Sequence, residues 1–190
     1  MLQRTAVRLA LVVVAVGAVL AAQAAMAGGR TTTTVEARGV TAVRVVRGSQ
    51  ATTETRSGAY HTVPGAVTTI TVPAGTRALI LVRFSAESSC GGDTVTSYCA
   101  VRIMIASSEG RPAAGDDFAF DSVDSSEAAG SLPDACCWES HSMDRSRGPV
   151  GPGTYEVRVQ AKMISAGERP GRPILRLDDW SLVVERVAVG

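Results

Sequence analysis

The chain has 190 residues, and its 19 lysines and arginines nearly balance its 18 aspartates and glutamates, which leaves a formal net charge of +1. A chain this close to neutrality has no electrostatic reason to bind nucleic acid or an anionic membrane surface, so we expect neither partner. The length is typical of one domain. Asparagine is absent and Lys162 is the only lysine, which is typical of a high-GC bacterial gene.

The first 27 residues predict an export signal that is cleaved from the mature protein. An apolar segment over residues 9–22 follows two arginines and is too short for a comfortable membrane span. Ala25 and Ala27 are the small residues of a cleavage site, so the mature chain is expected to begin at Gly28. No cysteine stands at that position and no apolar tail closes the chain, so we expect a secreted, extracellular protein without a membrane anchor.

After a disordered lead-in over residues 28–34, the pattern predicts one folded domain over residues 35–190. No stretch shows sustained helical periodicity. Short alternating segments rich in β-branched residues are separated by turns such as Pro73-Ala74-Gly75 and residues 148–153. The fold class is therefore predicted to be all-β, with a single antiparallel β-sandwich of jelly-roll-like arrangement.

The segment from Arg77 to Ser107 carries the strongest pattern and predicts a long β-hairpin. Apolar residues alternate along both arms, and Cys90 and Cys99 stand where the arms meet a polar loop. A disulfide between them would close a loop of about ten residues and stabilise the fold by about 2.5–3 kcal/mol. Four cysteines in an exported chain favour disulfides over zinc thiolates.

The vicinal pair Cys136-Cys137 leaves the disulfide connectivity open. If Cys90 bonds to Cys99, the pair forms a strained vicinal disulfide or stays as two thiols. In the crossed arrangement, each of Cys90 and Cys99 bonds to one member of the pair, which would hold the neighbouring acidic loop against the hairpin. Redox chemistry is disfavoured because no CxxC motif is present, and a zinc site with His141 would have too few ligands.

An acidic stretch follows the predicted hairpin and suggests a calcium site. Residues 109–144 carry nine acidic side chains against one basic side chain. Calcium binds six to eight oxygen atoms, which such loops supply in extracellular β-proteins. The candidate ligands are Asp116, Asp117, Asp121 and Asp124, although their spacing matches no EF-hand loop. The competing interpretation is a solvated acidic loop without metal.

Exposed aromatic side chains are the usual means by which a sandwich binds a small ligand. Trp138 and Tyr60 lie in polar sequence surroundings and are the candidate stacking platforms, with His141 close to Trp138. The competing interpretation for Trp138 is that its ring packs over a disulfide formed by the adjacent cysteines.

Ser140, His141 and Asp144 raise the hypothesis of a hydrolase. No GxSxG nucleophile motif is present, and along a strand His141 and Asp144 would point to opposite faces. The spacing therefore predicts the polar rim of a strand, and a non-enzymatic protein is expected.

Several segments resemble known proteins. The run from VPAGTRALILVRFSAESSC through YCAVRIMI and WESHSMDRS to LDDWSLVVERV resembles secreted bacterial β-sandwich proteins of uncharacterised function, which implies no particular activity. The segment GPGTYEVRVQ is similar in pattern to a strand of the jelly rolls of the tumour-necrosis-factor and complement type. The second resemblance implies a trimer with an apolar face between subunits.

These patterns predict a secreted, non-enzymatic domain that binds an extracellular ligand of unidentified chemistry. The alternative is a self-associating structural homo-oligomer, a trimer if the second resemblance holds, with an apolar outer face around Leu79, Leu81 and Met104. A hydrolase is the third hypothesis. Calcium is the one cofactor that the sequence suggests.

Overall fold

The structure, a computed structural model, describes residues 37–48, 53–91, 97–113, 119–122, 138–164 and 174–189. Every element in these ranges is a strand, so they hold no helix that could cross a membrane. The strands are β1 (Ala37–Gly48), β2 (Thr53–Thr55), β3 (His61–Val72), β4 (Arg77–Gly91), β5 (Tyr98–Ile105), β6 (Ser108–Glu109), β7 (Asp121–Ser122), β8 (Glu139–Val150), β9 (Gly153–Ile164) and β10 (Ile174–Val189). The predicted export signal, the predicted lead-in and the vicinal cysteines lie outside the described residues.

Two antiparallel sheets pack face to face, which confirms the predicted β-sandwich. Sheet 1 has the order β1-β10-β4-β8, with β2 paired to β10. Sheet 2 has the order β3-β9-β5-β6, with β7 paired to β5. Without the short β2 and β7, the eight remaining strands follow the strand order of a jelly roll, in which successive long strands cross from one sheet to the other.

The predicted hairpin over Arg77–Ser107 is wrong, because its two arms belong to different sheets. Strand β4 pairs with β10 and β8 in sheet 1, whereas β5 pairs with β9, β6 and β7 in sheet 2. Alternation of apolar residues shows which face of a strand is buried but not which strand lies beside it. The predicted disulfide between Cys90 and Cys99 is confirmed, and it joins the two sheets. The crossed cysteine pairing is thereby excluded.

Two strands are longer than the sequence pattern predicts because each continues through an irregularity. The alternation predicts separate strands over residues 60–63 and 68–72, but β3 covers both, and Gly65, with φ of +78°, lies where its register with β9 shifts. The alternation likewise predicts strands over residues 174–177 and 180–189, which β10 joins beside Asp179, whose φ is +41°. Both positions lie in the left-handed region of backbone conformation, where the chain bends without ending the strand.

The core lies between the sheets and is built from the inward-facing residues of the long strands. Phe84 of β4 is fully buried, and its ring lies 5.9 Å from Phe120 and 6.3 Å from Trp180. The alternation in residues 154–163 predicts that Val157 and Val159 point inward, and both are buried in β9. Close packing of this kind makes the core sensitive to the loss of single side chains.

The two lateral edges of the sandwich differ. At the β8 edge, Arg111 and Ser146 exchange two backbone hydrogen bonds, of 2.7 and 2.8 Å, which tie the chain after β6 to sheet 1. At the opposite edge of sheet 1, no described strand pairs with the edge of β1 that points away from β10. Within the described ranges, β1 is therefore an edge strand whose outward backbone groups make no strand hydrogen bonds.

Candidate functional site

A cluster of four polar side chains lies at the end of the sandwich that holds the disulfide. We call Ser88, Asp121, Glu139 and His141 the Ser88 cluster. Ser88 comes from β4, Asp121 from β7, and Glu139 and His141 from β8. Because side chains alternate along a strand, the spacing of two residues brings Glu139 and His141 to one face of β8.

Ser88 connects the aspartate to the histidine. Its hydroxyl donates a hydrogen bond of 2.7 Å to Asp121 Oδ2 and lies 2.9 Å from His141 Nδ1. Because the hydroxyl has a single proton, which it gives to Asp121, His141 must donate its Nδ1–H to Ser88 Oγ. The second ring nitrogen, Nε2, lies 3.4 Å from Glu139 Oε2.

The cluster has a buried side and an exposed side. Ser88 is fully buried and Asp121 is 9% exposed, whereas the carboxylate of Glu139 lies in solvent. Burial raises the pKa of Asp121 above its ordinary value, and the hydrogen bond from Ser88 and the charge of His141 oppose that rise. Asp121 Oδ1 also accepts a hydrogen bond of 2.7 Å from the backbone N–H of Ser122.

Covalent and aromatic neighbours hold the cluster in place. Cys99 is the strand partner of Asp121, and Ser88 precedes Cys90 by two residues on the same face of β4. The disulfide therefore fixes the separation between the two sheets beside the cluster. On its inner side, the ring of His141 lies 5.6 Å from the ring of Phe120.

The geometry does not bring together the residues of the hydrolase hypothesis. His141 faces inward on β8, whereas Ser140 and Asp144 are exposed on the outer face, and Asp144 Oδ1 accepts a hydrogen bond of 2.8 Å from Arg83. The serine that does contact His141 is Ser88, which is fully buried and stands between the acid and the histidine. A nucleophilic triad requires the histidine in the middle position and a serine within reach of substrate.

The predicted aromatic ligand platforms have different environments. The guanidinium carbon of Arg102 lies 3.8 Å from the centre of the Tyr60 ring, and Lys162 Nζ lies 4.5 Å from it. Tyr60 therefore already has cationic partners from its own chain. Lys162 lies on the outer face of sheet 2, as Arg102 does, and its side chain is buried beside this ring. Trp138 is half-buried directly before β8, next to the Ser88 cluster.

Of the predicted calcium ligands, only Asp121 lies within the described residues. Asp116, Asp117 and Asp124 fall outside them, as do Cys136 and Cys137. In the structure, Asp121 instead lies in one cluster with Ser88, Glu139 and His141. The spacing of Glu139 and His141 was readable in the sequence as two side chains on one strand face. Nothing in the sequence connects Ser88 to Asp121, because that contact depends on how the sheets stack.

A second candidate site is a groove of about 400 Å³ on the outer face of sheet 1. Its floor and walls combine apolar and charged side chains from three adjacent strands and from the segment that follows β6. They include Leu81, Arg83, Arg111, Asp144, Val183 and Glu185. A concave surface with apolar contacts and a few charged groups is the usual character of a binding site.

Two exposed valines adjoin this groove on the same outer face. Val43 is 49% exposed and Val45 is 45% exposed, both on β1. Val43 is the strand partner of Glu185, and Val45 is the partner of Val183, so the valines continue the groove toward the open edge of the sheet. The two valines therefore extend the apolar surface of the groove across β1.

The third candidate site is a smaller cavity of about 350 Å³ between β2 and β3, which contains a polar pair. The hydroxyl of Ser57 lies 2.7 Å from His61 Nε2. Ser57 Oγ also accepts a hydrogen bond of 3.0 Å from the backbone N–H of Ala59, so the serine stabilises the local turn. His61 is the second of the two histidines in the chain and has no part in the Ser88 cluster.

The comparisons with known proteins identify no family. No family model and no curated protein matches the chain. Among solved structures, the chain is similar to dimeric latent PorU from Porphyromonas gingivalis, with 12% sequence identity and a TM-score of 0.31. The match covers 83% of this chain and 14% of that chain, so the chain spans a small part of PorU. The resemblances stated from the sequence stay predictions.

Proposed function

We propose that this protein is an exported, non-enzymatic binding domain that holds an extracellular ligand on the outer face of sheet 1. The observation that carries the proposal is the continuity of Val43 and Val45 with the groove beside them. The valines retain nearly half of their exposure in the folded domain. Covering them with a ligand would remove apolar surface from water, which is favourable in proportion to the area covered.

The register of sheet 1 supports a single binding surface. Val183 lies between Val45 on one side and Arg83 on the other, and Glu185 lies between Val43 and Leu81. Partners across adjacent strands point to the same side of a sheet. The exposed valines on β1 and the half-buried Leu81 and Val183 in the groove floor therefore belong to one continuous face.

The chemistry of this face favours an extended peptide with apolar side chains and acidic groups. The edge of β1 that points away from β10 lacks a described strand partner, so the backbone of β1 can pair with an added strand. Arg47 is exposed on the same face of β1 as Val43 and Val45, and Arg111 is exposed in the groove. Arg83 is neutralised by Asp144, which leaves the other arginines to attract carboxylates.

The test is selection of binding peptides from a random displayed library on the mature protein, followed by affinity measurements with two variants. Val45→Glu places a negative charge on the proposed face. Val67→Glu is the matched control, because Val67 is 38% exposed on the outer face of sheet 2. We expect acidic, apolar peptides whose affinity falls by more than about tenfold in Val45→Glu and stays unchanged in Val67→Glu. Peptides that lose equal affinity in both variants, or none in Val45→Glu, would contradict the proposal.

Self-association is the second candidate, favoured by the open edge of β1. The apolar face once expected around Leu79, Leu81 and Met104 does not exist, since Met104 lies in sheet 2 and is nearly buried. Pairing of two β1 edges would bring arginines of both copies together, which opposes a dimer. We expect a monomer by light scattering after size exclusion. A stable trimer would favour the structural alternative.

A further inference from the structure

We infer that Asp121, Glu139 and His141 form a binding site for a divalent cation of the zinc class. Their ligand atoms, two carboxylate oxygens and an imidazole nitrogen, all lie within 4.8 Å of one another. Imidazole and carboxylate together suit zinc and neighbouring first-row metals, and three protein ligands with an open position are a recurrent zinc arrangement. The site is independent of the groove on sheet 1.

The described contacts hold the three proposed ligands beside one another. The hydroxyl of Ser88 donates a hydrogen bond to Asp121 and lies 2.9 Å from His141 Nδ1, so it links these two side chains. The other ring nitrogen, Nε2, lies 3.4 Å from Glu139 Oε2. The cluster therefore places one nitrogen donor between two carboxylates from different strands.

The surroundings of the ligands are those that a metal site requires. Ser88 is fully buried and orients both Asp121 and His141, which is the role of the outer hydrogen-bonding partners around a metal. The disulfide between Cys90 and Cys99 holds the two sheets that supply the ligands. Glu139 lies on the solvent side, where a metal ion can enter.

The donor set distinguishes this site from the calcium site suggested by the sequence. Calcium prefers six to eight oxygen ligands, and one of the three donors here is a nitrogen. Only Asp121 is common to both sets. The cation would also connect the sheets, because Asp121 belongs to sheet 2 and the other two ligands to sheet 1. Binding to the folded state alone would raise the unfolding temperature as metal concentration rises.

The experiment is calorimetric titration of the mature, metal-stripped protein with zinc chloride, repeated with cobalt chloride to record the visible spectrum of bound Co²⁺. The variants are His141→Ala, Glu139→Gln and the matched control His61→Ala, which removes the other histidine. Glu139 is exposed, so its substitution leaves the fold intact, and circular dichroism verifies this for each variant. We expect one equivalent of Zn²⁺ to bind. The affinity should fall by at least about tenfold in the first two variants and stay unchanged in the control.

Three outcomes would overturn the inference. No binding of Zn²⁺ or Co²⁺ would show that the three side chains do not form a metal site. Equal affinity in wild type and His141→Ala would place the metal elsewhere. Calcium binding that is stronger than zinc binding and independent of His141 would assign the cation to the acidic stretch instead.

Discussion

The two outer faces of the sandwich contrast in how their side chains are partnered. On sheet 2, Arg102 donates to Gln160 at 2.9 Å, and Arg158 pairs with Glu156 at 2.6 Å. On sheet 1, the groove and the exposed valines of β1 adjoin one ion pair, between Arg83 and Asp144. These two pairs of outward side chains partner one another on sheet 2, whereas sheet 1 has the exposed Val43 and Val45 beside its groove.

The difference between the two faces shows that the alternation of apolar residues does not by itself identify a binding face. Strands of both sheets turn alternate residues inward and outward with period two, because each sheet covers the same core. The difference lies in the cross-strand partners of the outward residues. Val45 faces Val183 on sheet 1, whereas Arg102 faces Gln160 on sheet 2. The strand register therefore decides which face is open to a partner.

A substitution in the core that both sheets share should cause the largest loss of stability. Phe84→Ala should lower the free energy of unfolding by about 3–5 kcal/mol, because Phe84 is fully buried and contacts two other aromatic rings. Urea denaturation followed by tryptophan fluorescence measures the change. Val67→Ala, at an exposed position, is the control and should shift the midpoint little. Similar midpoints for the two variants would contradict the described core.

Removing the covalent connection between the sheets should have the next largest effect. The double variant Cys90→Ala, Cys99→Ala is expected to lose about 2–4 kcal/mol of stability. The Ser88 cluster lies beside this disulfide, so the variant should also weaken Zn²⁺ binding. Denaturation and titration of the same samples measure both quantities. A variant that unfolds at the wild-type urea concentration would show that the disulfide contributes nothing.

A charged residue on sheet 2 should contribute measurably to stability. Arg102→Ala removes the hydrogen bond to Gln160 and the cation above Tyr60, and the expected loss is about 1 kcal/mol. Thermal or urea denaturation measures it. The matched control is Arg83→Ala on sheet 1, whose ion pair with Asp144 is exposed and should contribute less than about 1 kcal/mol. A larger loss for Arg83→Ala would reverse the contrast between the faces.

The smallest effect on stability is expected on the proposed binding face itself. Val45→Glu should change the free energy of unfolding by no more than about 0.5 kcal/mol, because the side chain is nearly half exposed. The same variant is expected to lose peptide binding. Denaturation and peptide titration of one preparation separate the two effects. Loss of binding together with global destabilisation would show only that the variant is damaged.

The sequence was sufficient for the fold class and for one disulfide. The alternation around Phe84 and Val157 identified inward faces correctly, and the position of Cys90 and Cys99 at strand ends predicted their bond. The pairing of strands was not predictable in the same way. Cysteines at the ends of a hairpin and at a crossing between sheets produce the same local pattern, so β4 and β5 were wrongly placed side by side.

The candidate sites were less accessible to sequence reasoning because they depend on contacts distant along the chain. Asp121 and His141 were identified as separate candidates, but Ser88, which joins them, reads as an ordinary strand residue. The groove beside Val45 requires the register of three strands, which no local pattern specifies. Composition and spacing can suggest residue types for a site, whereas the sheet stacking determines which of them meet.

Amide hydrogen exchange can show whether the outer face of sheet 1 binds an extended ligand. The mature protein would be measured by mass spectrometry with and without a selected acidic peptide. Backbone pairing with the peptide should slow exchange in β1, whose outer N–H groups have no described strand partner, and leave β9 of sheet 2 unchanged. Slowed exchange confined to sheet 2, with β1 unaffected, would contradict the claim.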